Sequence, residues 1–254
     1  MEQLKIINIH KSFGGIVALD GVDFSVKRKS ITGLVGPNGS GKTTLFNSIT
    51  GFISVDGGSI KFNDLDITNL SPDKIANHGI IRSFQIPRPF SKMTVLENVL
   101  LSGKNQLGEN IIPLLFRKKD VLKQEQDNHE RAKELLELLD LSHLMNEYSA
   151  GLSGGQKKLL ELARILMADP EIILLDEPIA GVNPTLANKI FEKIIEMRDK
   201  YDKTFLIVEH NIDVVRDYCD YIGVMNRGKI IADGDPSKVF EDKKVLNIYL
   251  GLDD

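Results

Sequence analysis

Eight residues near the amino terminus have the types and the spacing of a loop that holds nucleotide phosphates. They run Gly36-Pro37-Asn38-Gly39-Ser40-Gly41-Lys42-Thr43 and fit the pattern G-x-x-x-x-G-K-S/T. The glycines let successive backbone N–H groups turn towards phosphate oxygens, and the helix expected next directs its positive end at them. Lys42 supplies a charge between the β- and γ-phosphates, and the Thr43 hydroxyl can ligate Mg²⁺. By itself the loop predicts a nucleotide and Mg²⁺ site, with Thr44 also among the nucleotide-binding residues.

Two carboxylates stand at the end of a later apolar run. The segment Ile172-Ile173-Leu174-Leu175-Asp176-Glu177 is typical of a buried strand whose carboxyl end opens on a ligand crevice. Adjacent side chains of a strand point to opposite sides, so we assign Asp176 to the metal and Glu177 to the general base that polarises an attacking water. Without the phosphate loop, a simple strand end that caps the next helix would be the favoured interpretation.

A histidine and a glutamine occupy comparable places. The apolar run Thr204–Val208 ends in Glu209-His210, and a histidine at a strand's carboxyl end can contact the γ-phosphate or the attacking water and sense its presence. Gln85 ends the segment Arg82-Ser83-Phe84-Gln85, where the strand signals stop. We expect its neutral amide to touch Mg²⁺ and to report on the metal.

The segment Leu152-Ser153-Gly154-Gly155-Gln156 predicts a second phosphate-binding element. Its serine and glutamine have the spacing of a capping box, which by itself requires no ligand. However, Lys157 and Lys158 follow in the first turn, where cations are unfavourable unless an anion is bound, and the two glycines leave the helix start open. Because the chain already has a phosphate loop, we expect this helix to bind ATP held by another copy.

These motifs need a sheet to position them. Short β-rich segments separated by turn signals fill residues 4–34, helical periodicity replaces them between about 87 and 169, and β/α alternation returns afterwards. The sequence therefore predicts a single α/β domain with one parallel sheet, in which 1–86 and 170–254 form the catalytic core and 87–169 an inserted helical subdomain.

Composition and charge narrow the classes of partner. The 32 Lys and Arg against 36 Asp and Glu give a net charge of −4, which argues against binding nucleic acid or anionic membranes through bulk electrostatics. No apolar run approaches the roughly 18–20 residues that cross a bilayer, and residues 1–13 lack a secretory-signal layout, so we expect a cytosolic chain. The single cysteine, Cys219, excludes an internal disulfide and a multi-cysteine metal site.

Taken together, the motifs resemble those of the nucleotide-binding subunits of ABC transporters, over essentially the whole chain. The resemblance implies a RecA-like P-loop NTPase core with an N-terminal antiparallel β-subdomain, and a dimer that sandwiches two ATP molecules between the phosphate loop of one chain and the Leu-Ser-Gly-Gly-Gln segment of the other. By position, Phe13 resembles the aromatic that stacks on adenine, Gln85 the Q-loop glutamine and His210 the switch histidine. The resemblance also implies ATP hydrolysis that drives transmembrane permease subunits. The chain would lie at the cytoplasmic face of the membrane, with a solute-binding protein as an indirect partner.

A narrower set of residues is similar to the subunits that energise branched-chain amino-acid importers. The set comprises Phe13-Gly14-Gly15, Ala18-Leu19, Arg82-Ser83-Phe84-Gln85, Met93-Thr94-Val95-Leu96-Glu97-Asn98-Val99, Ala180-Gly181-Val182-Asn183-Pro184 and Val245 with Tyr249-Leu250-Gly251. Two positions depart from common patterns: the subgroup often has an aromatic at Gly154, and the wider superfamily usually has Asp at Asn183. The second departure suits the subgroup.

Other functions stay open at this level. An ABC ATPase of iron–sulfur cluster assembly would have non-membrane partners, and the ATPase of a lipopolysaccharide-extracting exporter usually differs before its Q-loop glutamine. A chromosome-maintenance ATPase would need a coiled coil or a DNA-binding domain, and we expect no nucleic-acid partner. The transported molecule, and whether the dimer pairs identical copies or paralogues, are not determined by the phosphate-site residues. We expect permease subunits to dock on 82–90 and the helical insert, because Gln85 would transmit the nucleotide state there.

Overall fold

The computed structural model describes residues 1–83, 88–109 and 111–250, which divide into two compact units. The first, here the core unit, consists of Met1–Arg82, Glu171–Pro178 and Ile194–Asp254. The second, here the helical unit, consists of Ser83–Pro170 and Ile179–Lys193.

The described residues form ten strands and ten α-helices. The strands are β1 (Glu2–Phe13), β2 (Ile16–Lys27), β3 (Ile31–Val35), β4 (Gly57–Phe62), β5 (Leu65–Asp66), β6 (Ile80–Arg82), β7 (Ile172–Asp176), β8 (Thr204–Val208), β9 (Tyr221–Asn226) and β10 (Lys229–Gly234). The helices are α1 (Lys42–Ile49), α2 (Pro72–Asn77), α3 (Val95–Leu100), α4 (Ile111–Phe116), α5 (Lys118–Leu138), α6 (Gly154–Met167), α7 (Pro184–Tyr201), α8 (Ile212–Tyr218), α9 (Pro236–Val239) and α10 (Lys243–Leu250).

Six strands of the core unit form the sheet that carries the predicted motifs, in the order β10-β9-β3-β8-β7-β6. The strands β9, β3, β8, β7 and β6 run parallel, and β10 joins the edge antiparallel to β9. Every residue of β3, β7 and β8 is buried, as expected of parallel strands covered on both faces. Because Val208 lies in register with both Leu34 and Asp176, the carboxyl ends of these three strands meet at one edge.

A second sheet of the core unit is antiparallel and has the order β2-β1-β4-β5. Its inward side chains, among them Leu4 and Ile9, join Phe46 of α1 and Leu174 and Leu206 of the parallel sheet in one hydrophobic core. The predicted parallel sheet and antiparallel β-subdomain are both present in the core unit.

The helical unit is built on α3, α5 and α6, which pack on one another. The apolar residues that recur with helical spacing are buried, including Leu135, Leu136, Leu159 and Leu160. The sequence predicts a connecting loop and a short helix over 104–126, whereas the long helix α5 already begins at Lys118. The first turns of α5 bury only Val121. The stretch is therefore mostly polar and lacks the apolar periodicity from which a helix is predicted.

Candidate nucleotide-hydrolysis site

The phosphate loop connects β3 to α1 and takes a path that only glycine accommodates. Gly36 and Gly41 have φ angles of 149° and 108°. Residues with a Cβ atom rarely adopt these positive φ angles, whereas glycine does so readily. A Cβ atom on Gly36 would lie 2.1 Å from the Met225 carbonyl oxygen, and one on Gly41 would lie 2.6 Å from the Ala18 carbonyl oxygen. Glycine is therefore required at both positions for two reasons. The φ angles are positive, and a Cβ atom would clash with a neighbouring backbone carbonyl.

The start of α1 is arranged to receive an anion. Its N-cap, Gly41, offers no side chain to the first N–H groups, and the first turn contains no acidic residue. Helix N–H groups without such a cap are available to phosphate oxygens, and the helix dipole favours negative charge there. Thr43 is exposed and Thr44 half-buried in the same turn.

Lys42 lies folded back over the loop. Its side chain is buried, and Nζ donates hydrogen bonds to the carbonyl oxygens of Gly36 at 2.8 Å and Pro37 at 2.9 Å. Burial lowers the pKa of Lys42, and the negative charges of Glu177 and Asp176 partly offset that effect. The lysine is thus held near the loop and the two carboxylates, where phosphate oxygens would give it stronger partners.

Asp176 is buried at the end of β7 and forms an ion pair that the sequence analysis missed. Its Oδ2 accepts a hydrogen bond from Arg82 Nη2 at 2.5 Å, and Arg82 Nη1 donates to Asn47 Oδ1. The guanidinium also lies over the Phe46 ring, 5.5 Å from its centroid, while Arg82 Nε is buried without a hydrogen-bond partner in the described part of the chain. The sequence signal was an arginine ending an apolar run, Ile80-Ile81-Arg82, next to a predicted ligand segment.

The donors predicted to hold Mg²⁺ suit that ion. Thr43 and Asp176 offer a hydroxyl and a carboxylate, and Mg²⁺ prefers oxygen ligands while it keeps several waters and phosphate oxygens. Thr43 comes after β3 and Asp176 is the last residue of β7. The carboxyl ends of these two strands share one edge of the parallel sheet. Gln85, the third predicted ligand, lies outside the described residues.

Glu177 and His210, each predicted to follow an apolar strand, are in contact. Glu177 Oε1 lies 2.6 Å from His210 Nε2, and the Glu177 N–H donates to the Val208 carbonyl oxygen at 2.9 Å. Glu177 has a φ of 50°, a left-handed conformation that costs a residue with a side chain on the order of 1–3 kcal/mol. The left-handed backbone conformation and the contact with His210 thus occur at the same residue, directly after β7.

The start of α6 has the predicted capping box in the helical unit. Ser153 Oγ accepts from the Gln156 N–H, and Gln156 Oε1 accepts from the Ser153 N–H. Gly154 is exposed with no heavy atom near its missing Cβ, whereas a Cβ on Gly155 would lie 2.0 Å from Leu186 Cδ2. Gly155 is therefore needed for packing, a reason that the sequence did not reveal.

One of the two lysines that suggested an anion at α6 has a partner within the helical unit. Lys158 Nζ donates to the Ala180 carbonyl oxygen at 2.7 Å. Lys157, together with the open face of Gly154, therefore remains as the sign that this helix start receives an anion.

Phe13 ends β1 with its ring about half exposed. Lys11 Nζ lies 5.3 Å from the ring centroid. An exposed aromatic ring at the end of a strand can stack on a nucleotide base.

Comparison with known proteins decides the family. The family model described as "ABC transporter" matches residues 19–180. The chain belongs to the ABC transporter family. A protein of Methanocaldococcus jannaschii named "Probable branched-chain amino acid transport ATP-binding protein LivG" is 48% identical, over 99% of this chain and 98% of that protein.

Solved ABC transporter cassettes share the fold. One cassette, in its ADP conformation, has a TM-score of 0.85 and 47% identity and covers 99% of each chain. A dimeric cassette in a post-hydrolysis state, bound to ADP and phosphate, has a TM-score of 0.72 and 26% identity, covering 92% of this chain and 98% of that one. The predicted resemblance to ABC nucleotide-binding subunits and the predicted α/β fold are confirmed.

None of the helices that the structure describes combines the length and the apolar character that a membrane span requires.

Replacing Arg82 with methionine is expected to lower the free energy of unfolding by about 3 kcal/mol, because Asp176 would be left charged and buried without its partner. Urea denaturation followed by circular dichroism measures this change. The double variant Arg82→Met with Asp176→Asn should recover most of the loss.

Arg216→Met provides the matched control for the Arg82 experiment. Arg216 also pairs with an aspartate, Asp213, at 2.9 Å, but both side chains are exposed. Exposed pairs contribute at most about 1 kcal/mol. Equal losses in the two single variants would contradict the view that the Arg82–Asp176 pair is a buried structural link.

Proposed function

We propose that this chain is the ATP-binding and ATP-hydrolysing subunit of an ABC importer, which powers uptake of branched-chain or related amino acids through separate membrane subunits. The contact between Glu177 and His210, at the sheet edge where the phosphate loop also lies, is the observation that carries hydrolysis. The choice of substrate class is supported by the name of the relative that is similar over its full length.

The side chains of the core unit divide the work of hydrolysis. The loop N–H groups and Lys42 hold the β- and γ-phosphates, and Phe13 stacks on adenine. Glu177 accepts a proton from a water whose oxygen attacks the γ-phosphorus; the bond from that phosphorus to the β,γ-bridging oxygen breaks, and ADP and phosphate form. His210 holds the Glu177 carboxylate in place through the Oε1 contact and lies at the γ-phosphate end of the site.

Metal binding falls to the oxygen donors at the same edge. Thr43 and Asp176 would hold Mg²⁺, with Gln85 as a further ligand. The ion, when bound, neutralises phosphate charge and orients the phosphates. Arg82 fixes the position of the Asp176 carboxylate through its hydrogen bond to Oδ2.

The second half of each ATP site comes from another ATP-binding subunit. The Leu-Ser-Gly-Gly-Gln segment contains the exposed start of α6, at Ser153 and Gly154, which is suited to approach a γ-phosphate held by another subunit. A dimeric cassette bound to ADP and phosphate, similar in fold to this chain, supports such an arrangement. The partner is either an identical copy or a paralogue.

The permease subunits dock on the helical unit, with residues 88–90 as part of the docking surface. Phe90 is half exposed, and its backbone N–H and carbonyl are both bonded to the buried side chain of Asn98. The Arg164 guanidinium lies 5.3 Å from the Phe90 ring centroid. A fixed, exposed aromatic side chain of this kind is suited to anchor a partner helix.

Phe90→Ala is expected to lower ATP-driven uptake about tenfold, because an aromatic anchor is lost at the docking surface, while basal ATP hydrolysis of the isolated subunit stays unchanged. Uptake into proteoliposomes and phosphate release by the subunit measure the two effects. Ile231→Ala, which truncates an exposed apolar side chain on β10, is the control. Unchanged uptake by Phe90→Ala would contradict the docking position.

The proteins that co-purify with this chain test the proposed function. The tagged Glu177→Gln variant is purified from gently solubilised native membranes with Mg-ATP, and its companions are identified by mass spectrometry. Multi-span permease chains are the expected result. The same complex prepared with the wild-type subunit, which retains ATP turnover, should take up labelled leucine, isoleucine or valine in proteoliposomes, in competition with one another. Only non-membrane companions would overturn the transporter proposal.

A further inference from the structure

Helix α4 of the helical unit exposes an unusual amount of apolar surface. Ile111, Leu115 and Phe116 are 74%, 70% and 81% exposed. Single exposed apolar residues are ordinary, but three on one short helix form a patch that marks an interaction surface. Ile111 and Leu115 are four residues apart and therefore lie on the same helix face.

Cations follow this apolar patch directly along the chain. Residues 117–123 contain four basic side chains and one acidic side chain. The acid, Asp120, is paired with Arg117 at 2.8 Å, while Lys118, Lys119 and Lys123 are exposed. Since the whole chain has a net charge of −4, this local excess of positive charge runs against the overall balance.

The combination fits a lipid surface better than a protein surface. Segments that lie in the membrane interface place large apolar side chains at the acyl boundary and lysines at the level of the headgroups. Protein–protein interfaces, in contrast, are depleted in lysine near their apolar centres. Exposed lysines immediately beside Leu115 and Phe116 therefore favour anionic lipid.

We propose that residues 111–123, the α4–α5 segment, bind the surface of an anionic lipid bilayer. Ile111, Leu115 and Phe116 enter the acyl boundary, and Lys118, Lys119 and Lys123 contact headgroup phosphates. The contact goes beyond the proposed transport function and needs neither ATP hydrolysis nor a permease. It gives the ATP-binding subunit its own affinity for the membrane.

Flotation with large unilamellar vesicles tests the proposal on the purified full-length chain. Vesicles of phosphatidylcholine containing about one third phosphatidylglycerol are compared with vesicles of phosphatidylcholine alone. We expect the chain to float with the anionic vesicles and to be released at high salt, because screening weakens surface electrostatics. Equal binding to both kinds of vesicle, or no binding to either, would overturn the proposal.

Two variants of the segment separate its charged and apolar parts. Lys118→Glu with Lys119→Glu is expected to lower the partition coefficient roughly tenfold or more, since each cation near an anionic surface contributes to binding. Leu115→Ser with Phe116→Ser should lower it to a similar extent through lost apolar insertion. Retained stabilisation by Mg-ATP in a thermal melt shows that each variant is folded.

The start of α10 supplies matched controls. Lys243 and Lys244 are adjacent exposed lysines that open a helix, as Lys118 and Lys119 do, and Leu246 is an exposed leucine nearby. Lys243→Glu with Lys244→Glu, and Leu246→Ser, should bind anionic vesicles like the wild type. Equal losses in these controls would refute a specific lipid segment. Unchanged vesicle binding in the α4–α5 variants, with fewer co-purified permease chains, would replace the lipid with a protein partner.

Discussion

Replacing Glu177 with glutamine is expected to lower ATP turnover by roughly 10²–10⁴-fold while ATP binding is retained. A carboxamide cannot accept the proton of the attacking water, but it has the size of the carboxylate and can still hydrogen-bond to His210 Nε2. The variant should therefore fill both ATP sites of a dimer without emptying them. Phosphate release measures turnover, and size-exclusion chromatography with light scattering in Mg-ATP measures the dimer.

Glu171→Gln is the matched control for this experiment. Glu171 directly precedes β7, so it lies at the opposite end of the strand that leads to Glu177, and it accepts hydrogen bonds from Gln3 and Asn63. Its replacement should leave turnover unchanged. Near-normal phosphate release by Glu177→Gln would contradict the assignment of the general base.

The left-handed backbone conformation of Glu177 raises the question whether the substitution to glutamine changes stability as well as chemistry. Glutamine has nearly the same backbone preferences as glutamate, so we expect the variant to keep the φ of 50° that Glu177 has. We therefore expect little change in the melting temperature without nucleotide. A loss of turnover can then be attributed to the chemistry of the side chain.

The edge on which the site lies was predictable because each motif directly follows an apolar strand. Parallel strands bury continuous apolar runs and gather their carboxyl ends at one edge, so the order of strand, then functional residue, is sufficient to bring Lys42, Asp176 and His210 together. Helical spacing of apolar residues likewise predicted the packed helices of the helical unit.

Features that depend on contacts between distant parts of the chain were not predictable. The Arg82–Asp176 pair joins two strands whose adjacency no local pattern specifies, and the clash that makes Gly155 necessary comes from Leu186. The Glu177 N–H donates to the Val208 carbonyl oxygen of the neighbouring strand, a bond that no pattern around Glu177 specifies. In each case the determining atom belongs to another segment, while sequence patterns report only on neighbours along the chain.

Lys42→Ala is expected to weaken ATP binding at least about 100-fold and to abolish measurable turnover. The lysine is buried and lies close enough to interact electrostatically with both Glu177 and Asp176. Without it, the phosphates meet two carboxylates at the same sheet edge and lose a charge-assisted hydrogen bond. The loop glycines and the start of α1 remain, so the fold should be retained.

Thermal melts with and without Mg-ATP measure the binding defect independently of turnover. A ligand that binds only the folded state raises its stability according to its concentration relative to its Kd. ATP should raise the melting temperature of the wild type and of Lys74→Ala, which truncates an exposed lysine on α2, but not that of Lys42→Ala. An undiminished ATP shift in Lys42→Ala would show that the loop binds phosphate without this cation.

The pH dependence of stability gives a second signature of Lys42. Because burial lowers the pKa of Lys42 in the folded chain below its ordinary value of 10.5, the unfolded chain binds more protons between the two values. Stability attributable to this group should therefore rise as the pH increases through that window, and it is absent below the lowered pKa. Lys42→Ala should lack this rise when the free energies of unfolding of both proteins are compared in alkaline buffers without nucleotide. Parallel pH profiles would mean that the lysine is well hydrated in the nucleotide-free chain, and that its two carbonyl contacts do not hold it in the loop.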